Sequence, residues 1–100
     1  MFKYTKHQLK KLEGLFEEIG YTIRYQRGNF KSGYAIVENK KIAVINKFFD
    51  TEARINSLFD IINVIQIDPA DLQEKTREYY ETLTTKVIAE RESAEVENPA

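Results

Sequence analysis

Few residues in this 100-residue chain could do covalent chemistry. It has no Cys and one His, His7. That composition excludes thiol nucleophiles, disulfides and any zinc site drawing two or three imidazoles from one chain. A serine nucleophile needs a base to take its proton. His7 lies in the first turn of a charged helical pattern, where an isolated surface imidazole is the simpler reading. Carboxylates are plentiful but fall mostly on polar helix faces. Asp60 stands apart, inside Leu58-Phe59-Asp60-Ile61-Ile62. A buried carboxylate there would need a partner, but the spacing Asn56-Asp60-Asn63 puts it on the helix's solvent strip instead. Gly28 and Gly33 bracket Asn29-Phe30-Lys31-Ser32. This is no P-loop, which needs Gly-Lys-Ser/Thr opening a helix, and the three-glycine dinucleotide spacing is missing too. The expectation is therefore no catalytic residue, no metal ligand and no cofactor.

Binding is the better prospect. Residues 21–47 carry Arg24, Arg27, Lys31, Lys40, Lys41 and Lys47 against Glu38 alone, a charge of +5, and residues 48–100 carry −7. Packed elements could neutralise one another, or segment 24–47 could form a basic surface. With Tyr25, Phe30 and Tyr34 as stacking platforms, such a surface would suit single-stranded nucleic acid. The isoelectric point near 5.9 argues against that use. The strongest candidate surface for a ligand or partner is Arg27, Gly28, Asn29, Phe30, Lys31 and Gly33, together with Lys47 and Arg54. The glycines would shape the loop, Arg27 and Lys31 would supply charge, and Phe30 would supply contact area.

These residues must be positioned by a small set of elements. Leu9, Leu12, Leu15, Phe16 and Ile19 form one helical stripe, with Thr5 as N-cap and Gly20 as the left-handed terminator. Tyr21, Ile23 and Tyr25 alternate with polar residues, as in a half-buried strand. Tyr34-Ala35-Ile36-Val37 and Ile42-Ala43-Val44-Ile45 read as a hairpin joined through Glu38-Asn39-Lys40-Lys41. Both are apolar at consecutive positions, which predicts cover on both faces. Asp50 caps a central helix carrying Ile55, Leu58, Phe59 and Ile62, which ends before Pro69. Asp68 with Pro69 opens a third helix whose stripe is Leu72, Thr76, Tyr79, Tyr80, Leu83 and Val87. Tyr79 and Tyr80 cannot face the same way, so one is expected at the surface, available to an interface. The fold expected is α+β: a helix, a three-stranded antiparallel meander, and two helices packed on the sheet. Residues 1–90 make a single domain, and 91–100 an acidic, disordered tail.

The run Gly28-Asn29-Phe30-Lys31-Ser32-Gly33-Tyr34, with Asn46-Lys47-Phe48-Phe49 and Glu52-Ala53-Arg54-Ile55-Asn56-Ser57-Leu58, resembles a family of short bacterial proteins with no established activity. The resemblance covers residues 9–66 and implies no functional residues. A second likeness is to zinc peptidases that control phage-type repressors. In these a hairpin ending in Asn precedes a helix reading Arg, four residues, then His-Glu-two residues-His. Here Asn46 and Arg54 fit the frame, but Phe59 and Asn63 stand at the histidine positions and Asp60 at the Glu. The metal-holding imidazoles are missing, so peptidase chemistry does not carry over.

No apolar run is long enough to span a bilayer, and the first residues lack a signal-peptide core, so a cytoplasmic location is expected. The function expected is a non-enzymatic protein-interaction or regulatory module. Its partner would be another protein or a second copy in a homodimer. The alternative is a nucleic-acid-binding module using the basic segment 24–47, and no membrane partner is expected.

Overall fold

The computed structural model describes residues 2–27 and 34–97. Helix α1, Lys6–Glu18, starts where the Thr5 hydroxyl accepts the Gln8 amide at 3.2 Å. It buries Leu9, Leu12, Leu15 and Phe16. Its end is a Schellman motif: the Gly20 amide bonds to the Glu17 carbonyl and the Tyr21 amide to that of Phe16. Gly20 adopts φ 85°, a conformation that disfavours side chains. Across the motif, the rings of Phe16 and Tyr21 meet edge-on at 6.2 Å.

Three strands follow: β1 (Thr22–Gln26), β2 (Tyr34–Val37) and β3 (Ile42–Asn46). The hairpin joins β2 to β3 through a 3-10 turn at Glu38–Lys40 and a left-handed Lys41. The meander, however, is corrected. The strand order is β1-β3-β2, with β1 parallel to β3 and β2 antiparallel to it. The physical reason lies in the side chains. β3 is apolar on both faces, so it gains most from two neighbours. β1 carries Arg24 between Thr22 and Gln26, a composition suited to an edge.

Helix α2, Thr51–Val64, begins at Asp50, whose carboxylate accepts the Ala53 amide at 2.9 Å. It buries Ile55, Ser57, Leu58, Phe59, Ile61 and Ile62, as befits a helix lying between the sheet and a further helical layer. That layer is a continuous helical run. It comprises α3 (Glu74–Thr82), a π turn (Leu83–Val87) and α4 (Ile88–Glu97). Asp68 does not cap it. Asp68 and Pro69 instead form a 3-10 turn over Pro69–Asp71, braced by Arg77 donating to the carbonyls of Pro69 and Leu72. The first turn of α3 is capped from α1, where Glu18 accepts the Gln73 amide at 2.8 Å and the Thr76 hydroxyl. This long-range cap is why local spacing misplaced the start.

Within the π turn, Thr84 and Thr85 donate their hydroxyls to the carbonyls of Tyr80 and Glu81. The wider turn inserts one residue and resets the helical phase, bringing Ile88 inward after Leu83. The helix then continues past the expected end near Glu90 and reaches Glu97. Arg91 in this extension pairs with Asp60 and also donates to Asn56. Glu92 accepts from Asn63. The residues Asn56, Asp60 and Asn63 do share one side of α2, but that side faces α4 and is not the solvent strip the spacing predicts.

Candidate functional site

The inner face of the sheet is closed. Ala43 and Ile45 are fully buried, and Ile23, Tyr25, Tyr34 and Ile36 pack against the same core as α1 and α2. The outer face is a different matter. Register aligns Arg24, Val44 and Ala35 in one row, and Thr22, Ile42 and Val37 in the next. Ile42, Val44 and Ala35 are half-buried and Val37 is 40% exposed. None of these four belongs to the core. The expected cover is thus seen on one face among the described residues. The two helical layers stack on the same side of the sheet, and among the described residues no helix or strand covers the other side.

One end of this sheet carries a cationic cluster. Parallel pairing of β1 and β3 brings Arg27 and Lys47 to the same end. The Asn46 side chain accepts the Phe48 amide at 3.0 Å, an Asx turn that directs Phe48 outward. Phe48 is 65% exposed, with Arg27 5.5 Å and Lys47 5.4 Å from its ring centre. The next residue, Phe49, turns inward and packs on the core.

Of the eight residues expected to form the surface, Gly28, Asn29, Phe30, Lys31 and Gly33 lie outside the described residues. The other three divide. Arg27 and Lys47 come together around Phe48. Arg54 is engaged internally. Its Nε donates to the Phe49 carbonyl at 3.0 Å, its Nη2 donates to the Lys47 carbonyl at 2.9 Å, and its guanidinium stacks 4.3 Å from the centre of the Tyr25 ring. Arg54 therefore holds the turn that presents Phe48. Nor is Tyr25 a stacking platform, because its hydroxyl donates to Glu13. Burial, then the Glu13 hydrogen bond and charge, push its pKa up, while Arg54 acts the other way. Tyr34 also packs inward. Among the described residues the exposed phenylalanine is Phe48, which strand periodicity could not reveal. The Asn two residues before it was the available signal.

Among its described residues, the basic segment forms no ion pair with the acidic half. Among the described residues, the ion pair formed is Asp60–Arg91, which lies wholly in the acidic half. Net charge is thus segregated, with the sheet carrying the basic segment and the outer helical layer much of the acidic one.

A second concavity lies between α1 and the α3–α4 run. It is a cleft of about 580 Å³ lined by Phe2, Lys11, Tyr79, Lys86, Val87 and Glu90 among others. Tyr79 donates to the Gln8 side chain at 2.9 Å, and Lys11 sits 4.2 Å from its ring centre. Tyr80 packs against the core as well, and both tyrosines of the pair are half-buried, so neither stands fully at the surface. Burial pushes the Tyr79 pKa from 10.0 up to about 12. The phenol thus stays protonated at neutral pH and cannot act as a base. Its folded pKa exceeds the unfolded one, so the stability it contributes is complete below pH 10 and lost as pH rises toward 12. Urea midpoints measured across that window should fall, and Tyr79→Phe should fall less steeply; equal slopes would assign the loss to other groups.

Among the described residues, no three His, Asp or Glu side chains gather closely enough to hold one metal ion, and no helix is long and apolar enough to cross a membrane. Comparison of the chain with protein-family models, curated proteins and solved structures finds no match in any of the three.

Proposed function

We propose that the chain is a non-enzymatic protein-interaction module whose outer sheet face, uncovered by any described helix, docks a partner protein. The supporting observation is the row structure of that face. Val44 and Ile42 lie at its centre, Ala35 and Val37 on one flank, and Arg24 on the other. A continuous apolar strip with a polar rim is the general pattern of a docking surface. The long C-terminal helix offers less, because Tyr79 and Tyr80 both pack inward.

The test is a photoreactive side chain introduced at Val37 on the face, or at Lys10 on the exposed side of α1, in cells that make the protein. A discrete adduct is expected from Val37 alone, lost on adding Val44→Asp. The adduct mass separates a second copy, near twice 11.7 kDa, from a different protein. No adduct from Val37, or equal adducts from both positions, would sink the reading.

A second reading has its own support. An exposed phenyl ring between two cations, Phe48 with Arg27 and Lys47, suits a nucleic-acid strand that stacks a base and neutralises phosphate.

A further inference from the structure

We infer that the occupant of the outer sheet face is a single amphipathic helix with acidic flanks, presented by a partner protein. The inference rests on the docking-face reading above, and two independent observations carry it.

The first is size. Three strands about 4.8 Å apart, with five residues at about 3.3 Å each, make a face of roughly 14 × 16 Å. That is well below the ~800 Å² per partner of a standard stable interface. A second copy stacked face to face would also bring Arg24 against like charge. An α-helix, about 10–12 Å across with its side chains, matches the width. Laid along β3, its apolar stripe would cover Val44 and Ile42, with the small Ala35 leaving room beside them. β2 bears no charge, so that side of the strip sets no electrostatic requirement.

The second is charge. The strands contribute one ionisable side chain to the outer face, Arg24, in the same row as Val44. Arg27 and Lys47 add two cations at the rim beside Phe48. No acidic residue lies within the three strands; the nearest in sequence, Glu38, is in the hairpin turn. A helix with basic flanks would meet like charge, and one with acidic flanks would meet complementary charge. A contact this small with a charged rim is weak and depends on salt, the behaviour of a transient regulatory contact.

The experiment uses the full chain, labelled with ¹⁵N, and three synthetic helical peptides of about 16 residues, ~24 Å long at 1.5 Å per residue. They share one apolar stripe and differ in carrying Glu, Gln or Lys on its flanks. A single-stranded oligonucleotide forms a fourth arm. The Glu peptide should perturb amides of β2 and β3. Its affinity should fall about tenfold between ~0.1 M and ~1 M salt, as the screening length drops from about 10 Å to about 3 Å. Arg24→Glu, a change at an exposed edge position that spares the fold, should weaken the Glu peptide and favour the Lys peptide. Val44→Asp should abolish binding of both.

Equal binding of all three peptides would overturn the acidic assignment and leave the docking face standing. If no peptide perturbs these strands while Val37 still yields its adduct, the helical occupant is wrong and the docking reading survives. If both fail, both readings fall. Tighter binding of the oligonucleotide at the same amides would overturn the inference in favour of nucleic acid.

Discussion

Phe59→Ala should lower the unfolding free energy by about 3–5 kcal/mol, as expected for truncating a fully buried phenylalanine. Phe59 is completely inaccessible and sits on α2 where three parts of the chain converge. The Phe2 ring meets it edge-on at 5.4 Å, and the Arg91 guanidinium lies 5.7 Å from its centre. Truncation removes the buried area and leaves a void that the N-terminal segment and α4 cannot both fill. Native domains hold only about 5–15 kcal/mol in reserve, so the variant should unfold at a far lower urea concentration. Phe48→Ala is the matched control. Phe48 is 65% exposed, and its loss should change stability by no more than about 0.5 kcal/mol. Similar midpoints for the two variants would mean that α2 is not the centre of the core.

Arg54→Met should cost about 2 kcal/mol, and Arg54→Lys should recover little of it. The native guanidinium satisfies the Lys47 and Phe49 carbonyls at once and stacks on Tyr25. A charged donor is worth more than a neutral one, and methionine leaves both carbonyls to compete for water. Lysine keeps the charge but lacks the planar fork that reaches two acceptors from one head group. Arg27→Met, on the exposed side of the same cluster, should stay within about 0.5 kcal/mol of the native protein. Urea denaturation of the three variants separates an internal brace from a surface cation. Native stability in Arg54→Met would return Arg54 to the candidate ligand surface.

The contrast between Arg27 and Arg54 shows where the sequence could be read. Local signals were legible, because they act within a turn: Thr5 and Asp50 as caps, Gly20 as terminator, the hairpin, and the apolar stripes of α1 and α2. The α+β class follows from those elements. Strand order was not legible. Nothing local distinguishes a β1 that pairs with β2 from one that reaches β3, since the choice depends on which strand profits from two neighbours. The start of α3 was missed because its cap, Glu18, comes from another helix. The apolar run of β3 suggested two covered faces, since sequence cannot say on which side the later helices will stack. The candidate site was legible in part. Arg27 and Lys47 do converge, whereas the exposure of Phe48 depends on an Asx turn and the commitment of Arg54 on two carbonyls supplied by the chain itself.

The strand order has a consequence for synthesis and truncation. β1 and β2 each hydrogen-bond to β3 and not to each other. A chain translated only as far as Lys41 therefore contains two of the three strands and no sheet at all. The five residues Ile42–Asn46, last of the three strands to be made, convert both earlier strands from unpaired segments into a structure in one step. A fragment cut before Ile42 loses the platform on which Arg24 and Val37 share a face, and with it the core against which α1 buries its apolar stripe.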